Sequence, residues 1–532
     1  MSLKQQFCAL SLLFFQFILI RSYPTEDGNV GTFWQITDIH WDKQYSIRGN
    51  PNEMCHLTIS TTGDYLNGDY GNFNCDSPWL LVNSSIEAMI KYKSDPDFII
   101  WTGDNAPHIW NPSPNFKSIT SILAKITQLL SLKFPNSTIL PVLGNHDTFP
   151  PDTIPQNATT TYYNQYLTTG RWNEILPNST WNTFLQGGYY SFPLSSSLTI
   201  LGLNTILWYK SNTLTLNSTD PANQYIWLEN ELMEAEKEGK KVYIIGHVSP
   251  GHSNRGVWNE INPSLYQERF NEKYIDIVNK YSNVIAGQFF AHLHADLFGL
   301  FRNKDRITSS MLLSSSITPW HSIEPSMKGV SVSPNPSIRL YYYNRQDGKI
   351  LDYDHFFLNL TKANKLFDTK LDNQENDSSE FTWKLFYTFT KEYELEDVTT
   401  RSLEELFKKL KTKPGFFEKY YNFTTVGKEN GLCDKICIRL HLCAISFQSH
   451  HNYSSCVKIP EQQIKSIVET TTPVPFHKPV APQDTRKRPN TASSRNILIG
   501  CTLSLLVLIM ILVVVYIKRS RLARGPRFVR FQ

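Results

Sequence analysis

An α/β fold is predicted for the body of this 532-residue chain, and two observations predict it. Short runs of β-branched and aromatic residues punctuate residues 30–350, and helical patterns lie between several of them. Buried strands interleaved with helices form a sheet whose faces the helices cover. The composition agrees: 41% hydrophobic residues and 52 Lys+Arg against 48 Asp+Glu exclude a wholly disordered chain and a multi-span transporter.

The elements are read in chain order. Lys4 precedes an apolar stretch from Phe7 to Ile20, and polarity returns at Arg21, Ser22 and Tyr23. That is the pattern of a secretory signal peptide, residues 1–22. Strands are expected at Thr32–Thr37, Phe98–Thr102, Thr138–Leu143, Val242–Ile245 and Asn283–Ala286, with helices over Ser118–Leu132 and Gln224–Glu238. Asn335–Tyr343 and Lys349–Tyr353 read as a closing hairpin of the same body, residues 23–356. From 357 to 457 strand signals thin out, a helix is expected over Ser402–Lys411, and four Cys crowd the end, predicting a small disulfide-stapled helical subdomain. Residues 458–496, with repeated Thr, Pro and basic residues, suit an extended stalk. Ile497–Ile517 is 21 residues without a charge, long enough for a bilayer span, and the basic tail 518–532 follows. The positive flank predicts a single-pass type I protein at the cell membrane, with lysosomal or secreted forms as alternatives. A GPI signal fits less well, since such a tail normally ends in apolar residues.

The ends distort the charge. Without residues 1–22 and 518–532 there remain 44 basic and 48 acidic residues. A body of that balance is not built to neutralise phosphates along a nucleic acid. A monomer is expected. Of eight Cys, six lie in the expected exported part: Cys55, Cys75, Cys433, Cys437, Cys443 and Cys456. An even count suggests three disulfides. Separation favours Cys55 with Cys75, and the pairing of the other four stays open. Zinc at Cys433 and Cys437 is the alternative, which export disfavours. Nine glycosylation sequons, at Asn83, Asn136, Asn157, Asn178, Asn217, Asn359, Asn376, Asn422 and Asn452, fall in the same segment.

Five of the expected strands end in residues that bind metals: Asp38 and His40; Asp104; Asn145, His146 and Asp147; His247; His292 and His294. Loops at the carboxyl ends of strands in α/β sheets converge on one crevice. Carboxylate, imidazole and amide oxygen together suit zinc, manganese or iron better than calcium or magnesium. Asp104 is the natural bridge between two ions, with Asp38, His40 and His294 on the first and Asn145, His247 and His292 on the second. Gly103, Gly144 and Gly246 precede three of these residues and let each strand turn sharply.

The ordered series D-x-H, G-D, G-N-H-D, G-H and H-x-H resembles the calcineurin-like metallophosphoesterase superfamily. The stretches Trp34–His40, Trp101–Asp104, Thr219–Gln224 with Trp227–Glu229, Ile285–Phe290, and Cys433, Cys437, Cys443 and Cys456 are similar to the acid sphingomyelinase-like phosphodiesterases. Over residues 30–457 that resemblance implies a four-layer αββα sandwich, two zinc ions per chain, and hydrolysis of phosphodiester or pyrophosphate bonds. It also implies the pairs Cys433–Cys437 and Cys443–Cys456. Ala291 stands where the family usually has Gly, and Leu293 where it has Thr or His; neither is a ligand.

The mechanism this implies is attack of a bridging hydroxide on phosphorus. His146, oriented by Asp147, protonates the leaving oxygen or stabilises the transition state, and His108 is a phosphate contact or second proton donor. His252 is expected at the rim, and Trp41, Trp110 and Trp320 are aromatics of stacking type. The expected substrates are extracellular nucleotides or small choline-type phosphodiesters. Acid sphingomyelinase has a saposin-like module ahead of its catalytic domain, and about ten residues separate Tyr23 from the first strand here, so a lipid phosphodiesterase of sphingomyelinase type ranks second. A surface receptor with a retired active site ranks third, because retirement leaves gaps among ligands and all seven positions are filled.

Overall fold

A computed structural model of the chain describes residues 28–57, 65–109, 114–157, 162–253, 264–320, 333–365, 383–428 and 433–458. The aromatic and β-branched run at the start becomes β1 (Val30–Ile36), and alternation along it sets the architecture. Phe33 points one way, stacking on Phe98 at 4.5 Å and Tyr341 at 4.7 Å and meeting Phe289 edge-on at 5.4 Å. The next residue, Trp34, points the other way and donates its indole N–H to Lys93 O at 2.9 Å.

The first sheet has the order β12-β11-β10-β1-β2-β3. β2 (Phe98–Trp101) and β3 (Thr138–Pro141) run parallel to β1, while β10 (Ser337–Asn344), β11 (Ile350–Phe357) and β12 (Lys384–Thr388) are joined antiparallel. The second sheet has the order β4-β5-β6-β7-β9-β8. There β5 (Leu198–Gly202), β6 (Lys241–Ile245), β7 (Ile285–Phe290) and β9 (Arg306–Leu313) are parallel, and β4 (Tyr190–Pro193) and β8 (Leu297–Asn303) are antiparallel edges. Phe289 of β7 faces Phe33 across the gap between sheets, and its neighbour Phe290 faces Tyr274 on the outside. The sheets therefore pack face to face. Helices α1 (Trp79–Tyr92) and α2 (Phe116–Lys133) belong with the first, α3 (Gln224–Lys237) and α4 (Glu268–Lys280) with the second.

The segment expected as a separate helical subdomain is built into this body. It contributes β12 to the first sheet, and helices α5 (Thr400–Thr412) and α7 (Lys435–Ser446) pack on β8. α6 (Phe416–Thr424) and α8 (His450–Val457) complete it, and the compact unit runs through Lys458. Disulfides join Cys55 to Cys75, Cys433 to Cys437 and Cys443 to Cys456, so no pair of thiols is left for zinc at Cys433 and Cys437.

The expected placement as a single-pass type I membrane protein is not upheld: among the described residues no helix is long and apolar enough to cross a membrane. The run 497–517 on which it rested lies outside those residues, as do the signal peptide 1–22, the stalk from 459 on and the tail 518–532.

Candidate metal centre

β1, β2, β3, β6 and β7 all end at one edge of the packed sheets, and the loops that follow are stitched to one another. Asp38 N donates to Gly103 O at 3.0 Å, His40 N to Asp104 O at 3.2 Å, and Ala291 N to His247 O at 2.9 Å. Asp38, His40, Asp104, His292 and His294 all hold left-handed backbone conformations, with φ between 42 and 71°. Such positions cost a non-glycine residue of order 1–3 kcal/mol each and persist where surrounding structure enforces them. Of the glycines, Gly103 (φ +90°) does need its conformation. Gly144 has an ordinary φ of −96° and is needed for space, since a Cβ there would strike the Asp104 carboxylate.

All seven sequence-predicted ligands come together here. Asp104 Oδ2 lies 3.5 Å from His40 Nε2 and 3.1 Å from His247 Nε2. Asp38, His40 and Asp104 form one cluster of donor atoms, and Asp104, His247 and His292 a second. Asp104 is thus common to both, with Oδ2 between the two imidazoles while Oδ1 accepts the His146 N–H at 2.8 Å. His294 Nε2 is 3.2 Å from Asp38 Oδ1, and Asn145 Oδ1 is 3.1 Å from His247 Nε2.

The supporting bonds aim these atoms. His40, His247 and His294 each donate Nδ1–H to a backbone carbonyl, of Ala106 (2.7 Å), Thr102 (2.7 Å) and Trp320 (2.9 Å). That tautomer presents the Nε2 lone pair to the centre. Thr37 Oγ1 occupies Asp38 Oδ2 at 2.8 Å. Asp38 Oδ1 and His40 Nε2 are buried without a hydrogen bond, as metal ligands would be.

Burial opposes charge throughout this crevice, and at Asp38, His40, Asp104 and His247 mutual attraction outweighs it. Burial lowers His40, but neighbouring Asp38 and Asp104 raise it to about 9. His247 is likewise lowered by burial and raised by Asp104, to about 9. Against burial, Asp38 is held well below the carboxylate range by His294 and His40, and Asp104 is lowered by His247 and His146. The carboxylates therefore demand positive charge. A divalent ion must displace imidazole protons to supply it, so binding strengthens as pH rises.

His146 joins the centre, driven down to about 4 by burial against the pull of Asp104. His108 packs between His40 (3.9 Å between centroids) and Trp320 (3.9 Å), 4.3 Å from His146. Asp147 differs from expectation. Its carboxylate accepts the backbone N–H groups of Gly144, Asp104 and Asn105 and the Asn105 side chain, so it ties two ligand loops together instead of aiming His146. His252 is buried and stacks on Tyr453 at 4.0 Å, away from any rim. Trp41 packs on Trp79, and Trp110 lies outside the described residues.

Two carboxylates escaped the sequence reading. Asp76, beside Cys75, accepts His108 N–H at 2.6 Å and its ring nitrogen at 3.0 Å, and also Thr318 Oγ1 at 3.1 Å. Burial, only partly offset by His40 and the His108 N–H, raises it to about 7. Asp152 accepts the Asn145 amide N–H at 2.7 Å and so turns the amide oxygen toward His247. Neither lies in a motif. The Asp-Ser-Pro and Pro-Asp-Thr contexts read as turns.

Two packed mixed sheets, with two donor clusters sharing a carboxylate at their carboxyl edge, define a metallophosphoesterase, a fold that implies a dinuclear metal site. The family model for calcineurin-like phosphoesterase matches residues 31–296, and that for the acid sphingomyelin phosphodiesterase C-terminal region matches 307–463. The human protein named acid sphingomyelinase-like phosphodiesterase 3b is 33% identical over 462 residues, covering 86% of this chain and 95% of that one. The human cyclic GMP-AMP phosphodiesterase SMPDL3A is 35% identical over 436 residues, 81% of this chain and 90% of that one. Sphingomyelinase phosphodiesterase C of Dictyostelium discoideum is 32% identical over 451 residues, 82% and 94%. The chain belongs to the acid sphingomyelinase-like phosphodiesterase family and is a phosphodiesterase.

Proposed function

We propose that the chain hydrolyses phosphodiester or pyrophosphate bonds in nucleotides or small choline-type phosphodiesters, with two zinc ions held by Asp38, His40, Asp104 and His294 and by Asp104, Asn145, His247 and His292. The observation that carries this reading is Asp104 Oδ2, within 3.5 Å of one cluster's imidazole and 3.1 Å of the other's. Mixed carboxylate, imidazole and amide donors are the chemistry of zinc more than of magnesium or calcium. When bound, such a pair supplies a hydroxide nucleophile near neutral pH and offsets the phosphate's charge.

The chain's own residues do the rest. The stitched loops fix the reacting group in a site whose donors need no rearrangement. His146 and His108 sit side by side, both beside His40, and are assigned as hydrogen-bond or proton donors to the leaving oxygen. Asp76 buttresses His108 through two bonds. The relative named for cyclic GMP-AMP supports a nucleotide. The relative named as a sphingomyelinase supports lipid phosphodiesters as a second reading. Intact donor clusters argue against a retired site.

The test is a panel of ATP, CDP-choline and labelled sphingomyelin at pH 5 and pH 7.5. ATP or CDP-choline is expected to be cleaved faster; faster cleavage of sphingomyelin at both pH values would overturn the substrate assignment. His146→Ala should retain both metals by elemental analysis while the rate falls about 10²–10⁴-fold. An unchanged rate would remove it from the mechanism.

A further inference from the structure

The amino ends of the strands, opposite the metal centre, carry a cleft that the phosphodiesterase reading does not use. It measures about 480 Å³ and is lined by Asp95, Asp97, Asn136, Phe192, Leu194 and Arg345 among others, a size within the ~300–1,000 Å³ of ligand clefts. It lies where the two sheets present their open edges side by side. β3 ends the first sheet, β4 ends the second, and Tyr190 Oη of β4 donates to Pro141 O of β3 at 3.0 Å. Edge strands left bare invite pairing with other chains, and proteins cover them.

The walls differ in character. Phe192 and Leu194, half-buried at the end of β4, give an apolar face. Across from it Asp97 accepts from Arg345 at 2.7 and 2.9 Å and from Tyr343 Oη at 2.8 Å, and Asp95 pairs with Lys93 at 2.8 Å, so the carboxylates of this polar wall are each matched by a cation. A ligand with an apolar face and a hydroxyl-rich edge fits such walls, and a strongly charged one does not.

Asn136 lines this cleft and is itself the first residue of a complete Asn-Ser-Thr sequon. Its side chain is exposed on the turn into β3, and Ser137 Oγ donates to Pro96 O at 2.9 Å, which fixes that turn. Three disulfides indicate folding in an oxidising compartment, where sequons of this kind are modified. Six other sequon asparagines, Asn157, Asn178, Asn217, Asn359, Asn422 and Asn452, are also exposed, whereas Asn83 is half-buried inside α1.

We propose that Asn136 carries an N-linked glycan whose first N-acetylglucosamine residues seat in this cleft, with their apolar faces on Phe192 and Leu194 and their polar edges toward Asp97 and Arg345. The sugar then acts as a permanent cover for the paired sheet edges. The covalent bond joins the Asn136 amide nitrogen to the sugar C1 as the C1–O bond of a lipid-pyrophosphate-linked oligosaccharide breaks; the lipid pyrophosphate leaves with the electron pair, and the amide nitrogen gives up one proton.

The full chain, secreted from cultured animal cells, tests this by glycopeptide mass spectrometry before and after treatment with an amide-cleaving glycosidase. Asn136 should be occupied. Under native conditions its glycan should be released at least tenfold more slowly than those on Asn157, Asn178 and Asn217, the factor that ~1.4 kcal/mol of seating would give; after denaturation all should be released alike. Leu194→Ser, or Phe192→Ala if that variant is not secreted, should speed release at Asn136 without changing its occupancy. An unmodified Asn136, or native release as fast as at the other sites, overturns the proposal. So does a cleft variant with unchanged release.

Discussion

His40, His247 and His294 are distributed along the chain over nearly half its length, yet each is held by the same device, a ring N–H given to a backbone carbonyl. The same economy of partners appears at His56, outside the centre. His56 follows Cys55 in the loop closed by the Cys55–Cys75 disulfide, and its Nε2 lies 2.6 Å from Asp42 Oδ2, outside that loop. That Asp42 bond, opposed by burial and aided by the charges of Asp76 and Glu53, raises the His56 pKa above its ordinary value. A raised histidine contributes stability that is complete below its unfolded pKa, ~6.5, and is lost as pH climbs through the folded value. His56→Asn should therefore lower the melting temperature at pH 5 by more than at pH 9, with the deficit at pH 5 near 1.5 kcal/mol, about the strength of a charge-assisted hydrogen bond. A deficit that grows toward alkaline pH would show that the pair does not act this way. Asp76 and Asp152 were illegible at this scale because a carboxylate that supports a ligand from a turn has no spacing to betray it.

At the scale of elements, the strands the sequence does not mark are β4, β5, β8, β9 and β12, and three of these, β4, β8 and β12, end their sheets. An edge strand is covered incompletely, so its residues need not form an apolar run, and Lys384–Thr388 (KLFYT) is exposed at Lys384 and Leu385. The position of β12 matters because it carries Tyr387, whose hydroxyl donates to Asp296 Oδ2. Asp296 also receives Arg339 of β10 at 2.6 Å and lies 2.9 Å from His355 Nδ1 of β11. Three antiparallel strands thus converge on a carboxylate two positions beyond His294. Arg339 is fully buried, and removing one partner of a buried pair leaves the other uncompensated, at roughly 3–5 kcal/mol. Arg339→Ala should lose about that much in denaturant unfolding; a loss under ~1 kcal/mol would mean that the network is not a structural link.

For the whole molecule the centre is a source of stability as well as of chemistry. The carboxylates and imidazoles of two sheets meet only in the folded chain, so an ion bound there favours the native state, by about 4 kcal/mol at a thousandfold excess over its dissociation constant. Treatment with a chelator should abolish hydrolysis and lower the melting temperature, and stoichiometric zinc should restore both. A melting temperature indifferent to the chelator, in protein shown by elemental analysis to have lost its metal, would exclude this coupling. Because ligating imidazoles must shed protons, the stabilisation by zinc should shrink as pH falls.

The sequence by itself singled out the seven residues that meet in this crevice, because metal chemistry accepts few residue types and they stand in order behind the apolar runs of five strands. It also marked β1, β2, β3, β6 and β7 and the closing hairpin, whose runs are bounded by turns. Only the tertiary structure decided that Asp104 Oδ2 stands between His40 and His247 while Oδ1 takes the His146 N–H. It decided too that Asp147 braces loops, and that the C-terminal segment completes a sheet. These are contacts between residues remote in sequence, whose partners are fixed by packing rather than by local propensity or spacing.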